Sequence, residues 1–90
     1  MDFDWDPEKA ARNVAKHDVI FTEAATIFND PLAMTYYDPK HSVEEDRFLT
    51  FGHSTKDRLL VVAHTDRGET TRIISARRAT RRERHKHEER

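Results

Sequence analysis

The side chains of this chain that are best suited to chemistry are cations at the ends of apolar segments. Runs of apolar residues at 48–51, 59–63 and 73–76 read as strands, and their ends carry Arg47, Arg58, His64, Arg72 and Arg77. Guanidinium groups that converge at strand ends suit an anionic ligand, and a histidine among them can take up or release a proton near neutral pH. Two alternatives stay open: the arginines pair with carboxylates of the first half, and His64 is a hydrogen-bonded structural residue.

The charge of the chain is strongly divided, although its formal net charge is only −1. Residues 1–50 carry 5 Lys/Arg and 11 Asp/Glu, whereas residues 51–90 carry 11 Lys/Arg and 6 Asp/Glu. Nine of the eleven cations in the second half are arginines, the cation suited to forked contact with phosphate. This division predicts a molecule with a phosphate-facing side, and a solvated charged surface is the alternative.

Composition excludes several classes of site. The 90 residues form one domain, 1–90, and 37% of them are charged, so the core is small. The absence of Cys excludes disulfides, Cys-ligated metal sites and a thiol nucleophile, and 2 Gly cannot build a glycine-rich phosphate loop. The pair His85 and His87 lies on different sides of a helix and makes a poor metal site, so we expect neither metal nor cofactor.

The chain has no apolar run near the ~20 residues that a membrane helix needs. Its N-terminus is acidic and lacks the apolar segment of a signal peptide. We therefore expect a cytoplasmic protein that is not attached to a membrane.

The elements that must position the cations follow from caps, turns and periodicity. Residues 3–5 read as a strand, and Asp6-Pro7 opens a helix that ends near His17, with Asp18 in the left-handed conformation. A second helix is predicted from Thr22 to Asn29, and strands at 33–37, 47–53, 58–65 and 70–77 follow. Short polar turns join the last three strands, so they are antiparallel neighbours.

The chain ends in a helix with a capping box, Thr80 at the N-cap and Glu83 three residues later. That helix has no apolar face, so only side-chain pairs or a surface outside the domain could hold it. The predicted fold is α+β, an antiparallel sheet of about four to five strands packed by two N-terminal helices, with a C-terminal polar helix.

Segments that run nearly the length of the chain resemble the BrnT family of toxins. They are FDWDPEKA at 3–10, KH at 16–17, EAATIFNDP at 23–31, RFLT at 47–50, LVVAHT at 60–65 and, most specific, RIISARRATRRER at 72–84. The resemblance implies the toxin half of a bacterial type II toxin–antitoxin pair, with a RelE-like fold. It also implies a metal-independent endoribonuclease that inhibits translation by cleaving RNA through the RNA's own 2′-hydroxyl.

The resemblance further implies a partner and a set of roles. The partner is a BrnA-type antitoxin with a ribbon-helix-helix part, through which operator DNA would be bound. Cleavage would rest on His64 for proton transfer and on Arg47, Arg72 and Arg77 for charge stabilisation. RNA or the antitoxin would contact a second set of arginines: Arg58, Arg67, Arg78, Arg81, Arg82 and Arg84. The competing hypothesis is a non-catalytic module that binds nucleic acid and antitoxin and acts as co-repressor at its own operator.

Overall fold

A computed structural model describes residues 1–89 as a five-stranded sheet with helices on both faces. The strands are β1 (Asp2–Asp4), β2 (Met34–Tyr37), β3 (Phe48–His53), β4 (Leu59–Arg67) and β5 (Thr70–Arg78). The helices are α1 (Pro7–His17), α2 (Phe21–Thr26) and α3 (Arg81–Glu88), with single 3-10 turns at Ile27–Asn29 and Pro39–His41. None of the helices within residues 1–89 is long and apolar enough to span a membrane.

The strand order is β1-β5-β4-β3-β2, and the prediction of an antiparallel sheet is wrong at one edge. The β2–β3, β3–β4 and β4–β5 pairs are antiparallel as expected, whereas β1 pairs with β5 in parallel. A parallel pair needs a long crossover connection, and here almost the whole chain lies between the two strands. No local turn signal announces such a pairing.

Local signals for α1 are confirmed. The Asp6 side chain accepts a hydrogen bond from the Glu8 backbone N–H at 2.8 Å, and Asp18 ends the helix at φ 56°. The helix is fixed on the sheet by the buried Asn13, whose amide donates to the carbonyls of Val19 and Ala76 at 2.9 and 2.8 Å. Its amide oxygen also accepts from the Ala76 N–H at 3.0 Å, so one side chain replaces three missing backbone partners.

The second helix begins at Phe21, one residue before the predicted start at Thr22. Ile20 occupies its N-cap and makes no side-chain cap hydrogen bond. Phe21 is buried and meets Trp5 edge-on at 5.8 Å between ring centroids. Burial of this aromatic ring therefore decides where the helix begins, against the capping preference.

The main core lies between α1, α2 and one face of the sheet, which we call the helix-covered face. Simple alternation along β5 predicts Ile73 and Ala76 on opposite faces, and this is wrong. The register shifts between Ala63 and His64, so Ala63 pairs with Ser75 and His64 with Ile73, which leaves Ile74 unpaired. This bulge puts both Ile73 and Ala76 in the core, with Val19, Phe21, Ala24, Ile27, Leu60 and Val62.

The C-terminal helix lies on the opposite face of the sheet, which we call the open face. The capping box of Thr80 and Glu83 is confirmed. Of the two supports expected for α3, side-chain pairs are present, with Glu83 bound to Arg77, and the helix has in addition an anchor that was not expected, because His87 is buried against the sheet. Its ring stacks on Phe51 at 6.4 Å and lies 6.1 Å from His53. Histidine counts as polar in a sequence pattern, so this anchor is invisible to periodicity.

Candidate nucleic-acid interface

His64 lies on the helix-covered face and is only 3% exposed. The rings of Phe28 and Phe48 lie 5.0 and 5.9 Å from its ring. Its Nε2 is 2.7 Å from Thr50 Oγ1, and its Nδ1 is 3.1 Å from Asp66 Oδ1. Burial lowers the pKa of His64, against a smaller opposing effect of the Asp66 carboxylate. The neutral ring, donating from Nδ1 to Asp66 and accepting from Thr50, satisfies both contacts.

The structure therefore separates His64 from the arginines with which it was grouped. Thr65 and Arg72 form the next cross-strand pair after His64 and Ile73, and side chains alternate between faces. Arg72 thus projects from the open face, whereas both ring nitrogens of His64 are engaged on the other. In this arrangement His64 cannot contact a phosphate that is held by Arg72.

A row of four side chains crosses the open face at the end of β4. Thr65 pairs with Arg72 on β5, and Arg72 pairs with Asp4 on β1. Phe48 pairs with His64, so the preceding residue, Arg47, continues the register opposite Thr65. Neighbouring strands are about 4.8 Å apart, which places the backbones of Arg47 and Arg72 about 10 Å apart on either side of Thr65.

Two carboxylates bind arginines at or beside this row. Arg72 Nη1 lies 3.3 Å from Asp4 Oδ2, and Arg67 binds Glu45 through two hydrogen bonds of 2.7 and 3.1 Å. The Arg67 guanidinium lowers the pKa of Glu45, and the charges of Arg47 and Arg72 lower it further. We call Arg47, Arg67 and Arg72, the three arginines whose charge acts on Glu45, the arginine cluster.

Thr65 was missed as a site residue. It is 2% exposed, and its buried Oγ1 has no hydrogen-bond partner within residues 1–89. It lines a pocket of about 260 Å³ with His41, Val43, Glu44, Glu45 and Arg47. The only signal in the sequence is a threonine at the end of an apolar strand, and its position between two arginines follows from the register.

Arg77 lies apart from the arginine cluster. Its guanidinium donates to both carboxylate oxygens of Glu83 at 2.7 and 2.9 Å. Five residues of strand separate it from Arg72, a distance of roughly 16 Å. The predicted catalytic set therefore lies at two places on the open face, with Arg77 bound to Glu83 and Arg72 to Asp4.

Beyond Arg77, the chain presents further cations around the start of α3. Arg78, Arg81 and Arg82 are exposed, and no carboxylate within residues 1–89 pairs with their side chains. Arg84 lies 3.8 Å from Glu88 in an exposed pair. These side chains are therefore available to an anionic partner.

Arg58 is held within the fold by an ion pair. It pairs with the buried Glu23: its Nε donates to Oε2 at 2.9 Å, and its Nη2 contacts Oε1 closely and donates to the Asp18 carbonyl. The Arg58 guanidinium lowers the pKa of Glu23, against the opposing effect of burial. The Arg58 donors are therefore used within the fold, and its contact with nucleic acid stays a prediction.

The histidines of α3 have separate surroundings. His85 is exposed and lies 3.0 Å from Glu89, whereas His87 packs on Phe51. No group of three or more His, Cys, Asp or Glu side chains in the described part of the chain is placed to hold a metal ion.

An apolar groove separates α3 from the outer strands on the open face. It has a volume of about 530 Å³, and its floor and walls are Met34, Tyr36, Leu49, Phe51, Glu83, Lys86 and His87. Tyr36 and Tyr37 on the edge strand β2 are about half exposed. Exposed apolar surface of this kind is typical of a contact site for another protein.

Comparisons with known proteins agree with the resemblance in the sequence. No curated protein matches the chain. The crystal structure of the Brucella abortus ribonuclease toxin BrnT matches with a TM-score of 0.66 and 24% identity, over 90% of this chain and 99% of that chain. That match shows the fold. A family model described as the ribonuclease toxin BrnT of type II toxin–antitoxin systems matches residues 5–83. The chain therefore belongs to the BrnT family of ribonuclease toxins.

Proposed function

We propose that this chain is a metal-independent endoribonuclease that cleaves cellular RNA and thereby inhibits translation. The observation that carries the proposal is the arginine cluster on the open face of the sheet, in a chain of the ribonuclease toxin family. The guanidinium groups of this cluster supply the charge that phosphodiester cleavage needs.

The proposed reaction uses the RNA as its own nucleophile. The 2′-oxygen bonds to the adjacent phosphorus and loses its proton, and the bond to the 5′-oxygen breaks as that oxygen gains a proton. The products are a 2′,3′-cyclic phosphate and a 5′-hydroxyl. Arg47 and Arg72 would stabilise the additional negative charge on the non-bridging oxygens, because guanidinium donors match these oxygens in geometry and charge.

The remaining predicted residues take other parts in this proposal. His64 fixes the end of β4 behind the arginine cluster, so we assign it a positioning role. Arg77, Arg78, Arg81 and Arg82 would bind flanking phosphates of the same strand. Their positive charge suits the same anionic partner as the arginine cluster does. Arg78, Arg81 and Arg82 have no pairing carboxylate within residues 1–89.

Membership in a type II family implies an antitoxin partner. We propose a BrnA-type antitoxin with a ribbon-helix-helix part, which would contact operator DNA, a RelE-like fold for the toxin and a location in the cytoplasm. The exposed apolar groove beside α3 and the cations at the start of that helix support a protein contact on this face.

The decisive experiment is cleavage of a labelled RNA by purified toxin in excess EDTA, with analysis of the product ends. We expect cleavage that yields 5′-hydroxyl ends, and a rate about 100-fold lower for Arg72→Ala. Arg12→Ala is the matched control, because Arg12 is an exposed arginine on α1, away from the open face.

Loss of cleavage in EDTA, or products with 5′-phosphate ends, would contradict the mechanism. The co-repressor hypothesis predicts a different result: operator binding with the antitoxin, but no cleavage and no growth arrest when the toxin is expressed alone.

A further inference from the structure

The Thr65 hydroxyl is the exception among the buried threonine hydroxyls of the sheet. Thr50 on the neighbouring strand is equally buried, but its Oγ1 lies 2.8 Å from Thr35 Oγ1 and 2.7 Å from His64 Nε2. Thr65 Oγ1 is buried and has no partner within residues 1–89. An unsatisfied buried hydroxyl destabilises a fold, so such a group calls for an explanation.

The neighbours of Thr65 indicate the chemistry of a ligand. Arg47 and Arg72 flank it in the cross-strand row, and Arg47 shares its pocket. A hydroxyl with an arginine on each neighbouring strand is a set of donors, which a phosphate group can use because its oxygens only accept. The pocket has a volume of about 260 Å³, which leaves room for a phosphate group.

A carboxylate of the chain itself occupies the cationic side of this pocket. Glu45 is held by two hydrogen bonds from Arg67, and its charge interacts with Arg47 and Arg72. A carboxylate offers two acceptor oxygens and a negative charge, as a phosphate does. It therefore competes with a phosphate for the same cations.

We propose that Thr65, Arg47 and Arg72 form a phosphate-binding subsite, in which the Thr65 hydroxyl donates to a non-bridging oxygen and Glu45 is the internal competitor that the phosphate displaces. The identity of the ligand as RNA rests on the proposed function. The subsite itself rests on the buried hydroxyl, the cross-strand row and the position of Glu45.

The test is the affinity of purified toxin for a fluorescent RNA oligonucleotide that is 2′-O-methylated throughout and cannot be cleaved. Thr65→Val removes the hydroxyl at nearly constant volume and should weaken binding about tenfold, the effect of one hydrogen bond to a charged group. Thr65→Ser keeps the hydroxyl and should bind within about twofold of the wild type. Inorganic phosphate should compete for the wild type more effectively than for Thr65→Val.

Thermal melting separates binding from folding in these variants. Thr65→Val removes an unpartnered hydroxyl, so its melting temperature should stay the same or rise. Thr50→Val is the matched control, because it removes a buried hydroxyl that has two partners. It should melt at a lower temperature and bind the oligonucleotide as the wild type does.

The proposed competition between Glu45 and a phosphate is tested with two variants of the same loop. Glu45→Gln and Glu44→Gln change the net charge equally and both residues line the pocket, but only Glu45 is bound by Arg67. Glu45→Gln should tighten binding of the oligonucleotide at least threefold more than Glu44→Gln does. Equal effects of the two variants would show a general charge effect and would overturn the role of Glu45.

Wild-type affinity in Thr65→Val, or equal weakening in Thr65→Val and Thr65→Ser, would overturn the subsite. These measurements do not depend on cleavage, so a toxin that binds as described but cleaves no RNA would refute only the proposed function. A toxin that cleaves RNA with Thr65→Val fully active in binding would refute only the subsite.

Discussion

Arg77 on β5 and Glu83 on α3 form a bidentate ion pair, with Nη1–Oε1 and Nη2–Oε2 distances of 2.7 and 2.9 Å. Glu83 also caps its own helix, since its Oε1 accepts from the Thr80 N–H at 2.9 Å. One carboxylate therefore both starts the polar helix and fastens it to the sheet. The arginine that it binds, Arg77, is one of those for which the family resemblance implies a catalytic role.

The ion pair should give the protein an acid-sensitive stability. The Arg77 guanidinium lowers the pKa of Glu83 from 4.5 to about 2. Because the folded pKa is the lower one, the stabilisation is complete above about pH 4.5 and is lost as the pH falls towards 2. Glu83→Gln should lower the free energy of unfolding at neutral pH by about 1–2 kcal/mol, since solvent screens part of the interaction.

Urea unfolding at neutral pH and near pH 3 checks this expectation. The difference between Glu83→Gln and the wild type should shrink at the lower pH, because near pH 3 the unfolded chain takes up a proton at Glu83 whereas the folded protein does not. A difference that stays constant between the two pH values would contradict it.

Arg58 should behave as a stability residue. Glu23 has a side chain only 2% exposed, so Arg58→Met would leave a buried charge without its partner. The expected loss is about 3–5 kcal/mol in the free energy of unfolding. The double variant Glu23→Gln/Arg58→Met should recover part of it.

Arg78→Met is the matched control for Arg58, because Arg78 is exposed and no carboxylate within residues 1–89 pairs with its side chain. It should change stability by no more than about 0.5 kcal/mol. Denaturant unfolding of all four proteins gives the comparison. An Arg58→Met protein as stable as the control would show that the ion pair contributes nothing.

Local rules predicted much of this fold, because caps and turns depend on a few adjacent residues. Asp6-Pro7, the left-handed Asp18 and the capping box of Thr80 are all where the sequence indicates. The parallel β1–β5 pair could not be predicted in this way, because its partners lie more than 60 residues apart and no turn connects them.

The site was only partly predictable for a related reason. Arg47 and Arg72 were expected at one edge of the sheet, and they lie in one row across Thr65. His64 was expected with them, but it engages Thr50 and Asp66 on the other face, and the bulge at Ile74 sets the face of Arg72. A bulge of one residue reverses every side chain beyond it, and the sequence carries no strong signal for it.

His64 should affect stability and its pH dependence more than catalysis. Burial lowers the pKa of His64 below its ordinary value of 6.5. The stability that the neutral ring provides is therefore complete above about pH 6.5 and decreases as the pH falls below it. His64→Ala should lower the free energy of unfolding at neutral pH by about 2–4 kcal/mol, through a cavity and two lost hydrogen bonds.

His64→Gln keeps hydrogen-bonding groups and removes the titration, so the decrease in stability between about pH 6.5 and 5 should become smaller. Its cleavage rate, corrected for the folded fraction by circular dichroism, should stay within a fewfold of the wild type. A well-folded His64→Gln protein without activity would contradict this expectation and would show that His64 transfers a proton in the reaction.

The antitoxin should stabilise the toxin by mass action. A partner that binds only the folded state raises the melting temperature with its concentration, and at 100 times its dissociation constant it adds about 2.7 kcal/mol to the free energy of unfolding. The small core and the apolar groove beside α3 lead us to expect a clear rise. Scanning calorimetry at several antitoxin ratios measures it, and equal melting temperatures at all ratios would contradict the contact.

RNA binding should depend steeply on salt, because each phosphate that a cation neutralises releases a counterion. For single strands the slope of log affinity against log salt is about −0.7 for each phosphate contact. Arg81→Ala and Arg82→Ala should each make the slope less negative by about that amount and weaken binding of the uncleavable oligonucleotide modestly.

Neither Arg81→Ala nor Arg82→Ala should alter the cleavage rate of bound RNA, because both residues lie far along the open face from Arg72. Arg72→Ala should weaken binding about as much as Thr65→Val does, because both belong to the phosphate-binding subsite, but it should also cause a large loss of bound-state rate, as expected for a group that also acts in the transition state. Fluorescence titrations over a range of salt concentrations, beside single-turnover cleavage at saturating enzyme, separate the two effects. If Arg81→Ala reduced the single-turnover rate as much as Arg72→Ala does, the reacting phosphate would have to lie at α3 and not at the arginine cluster.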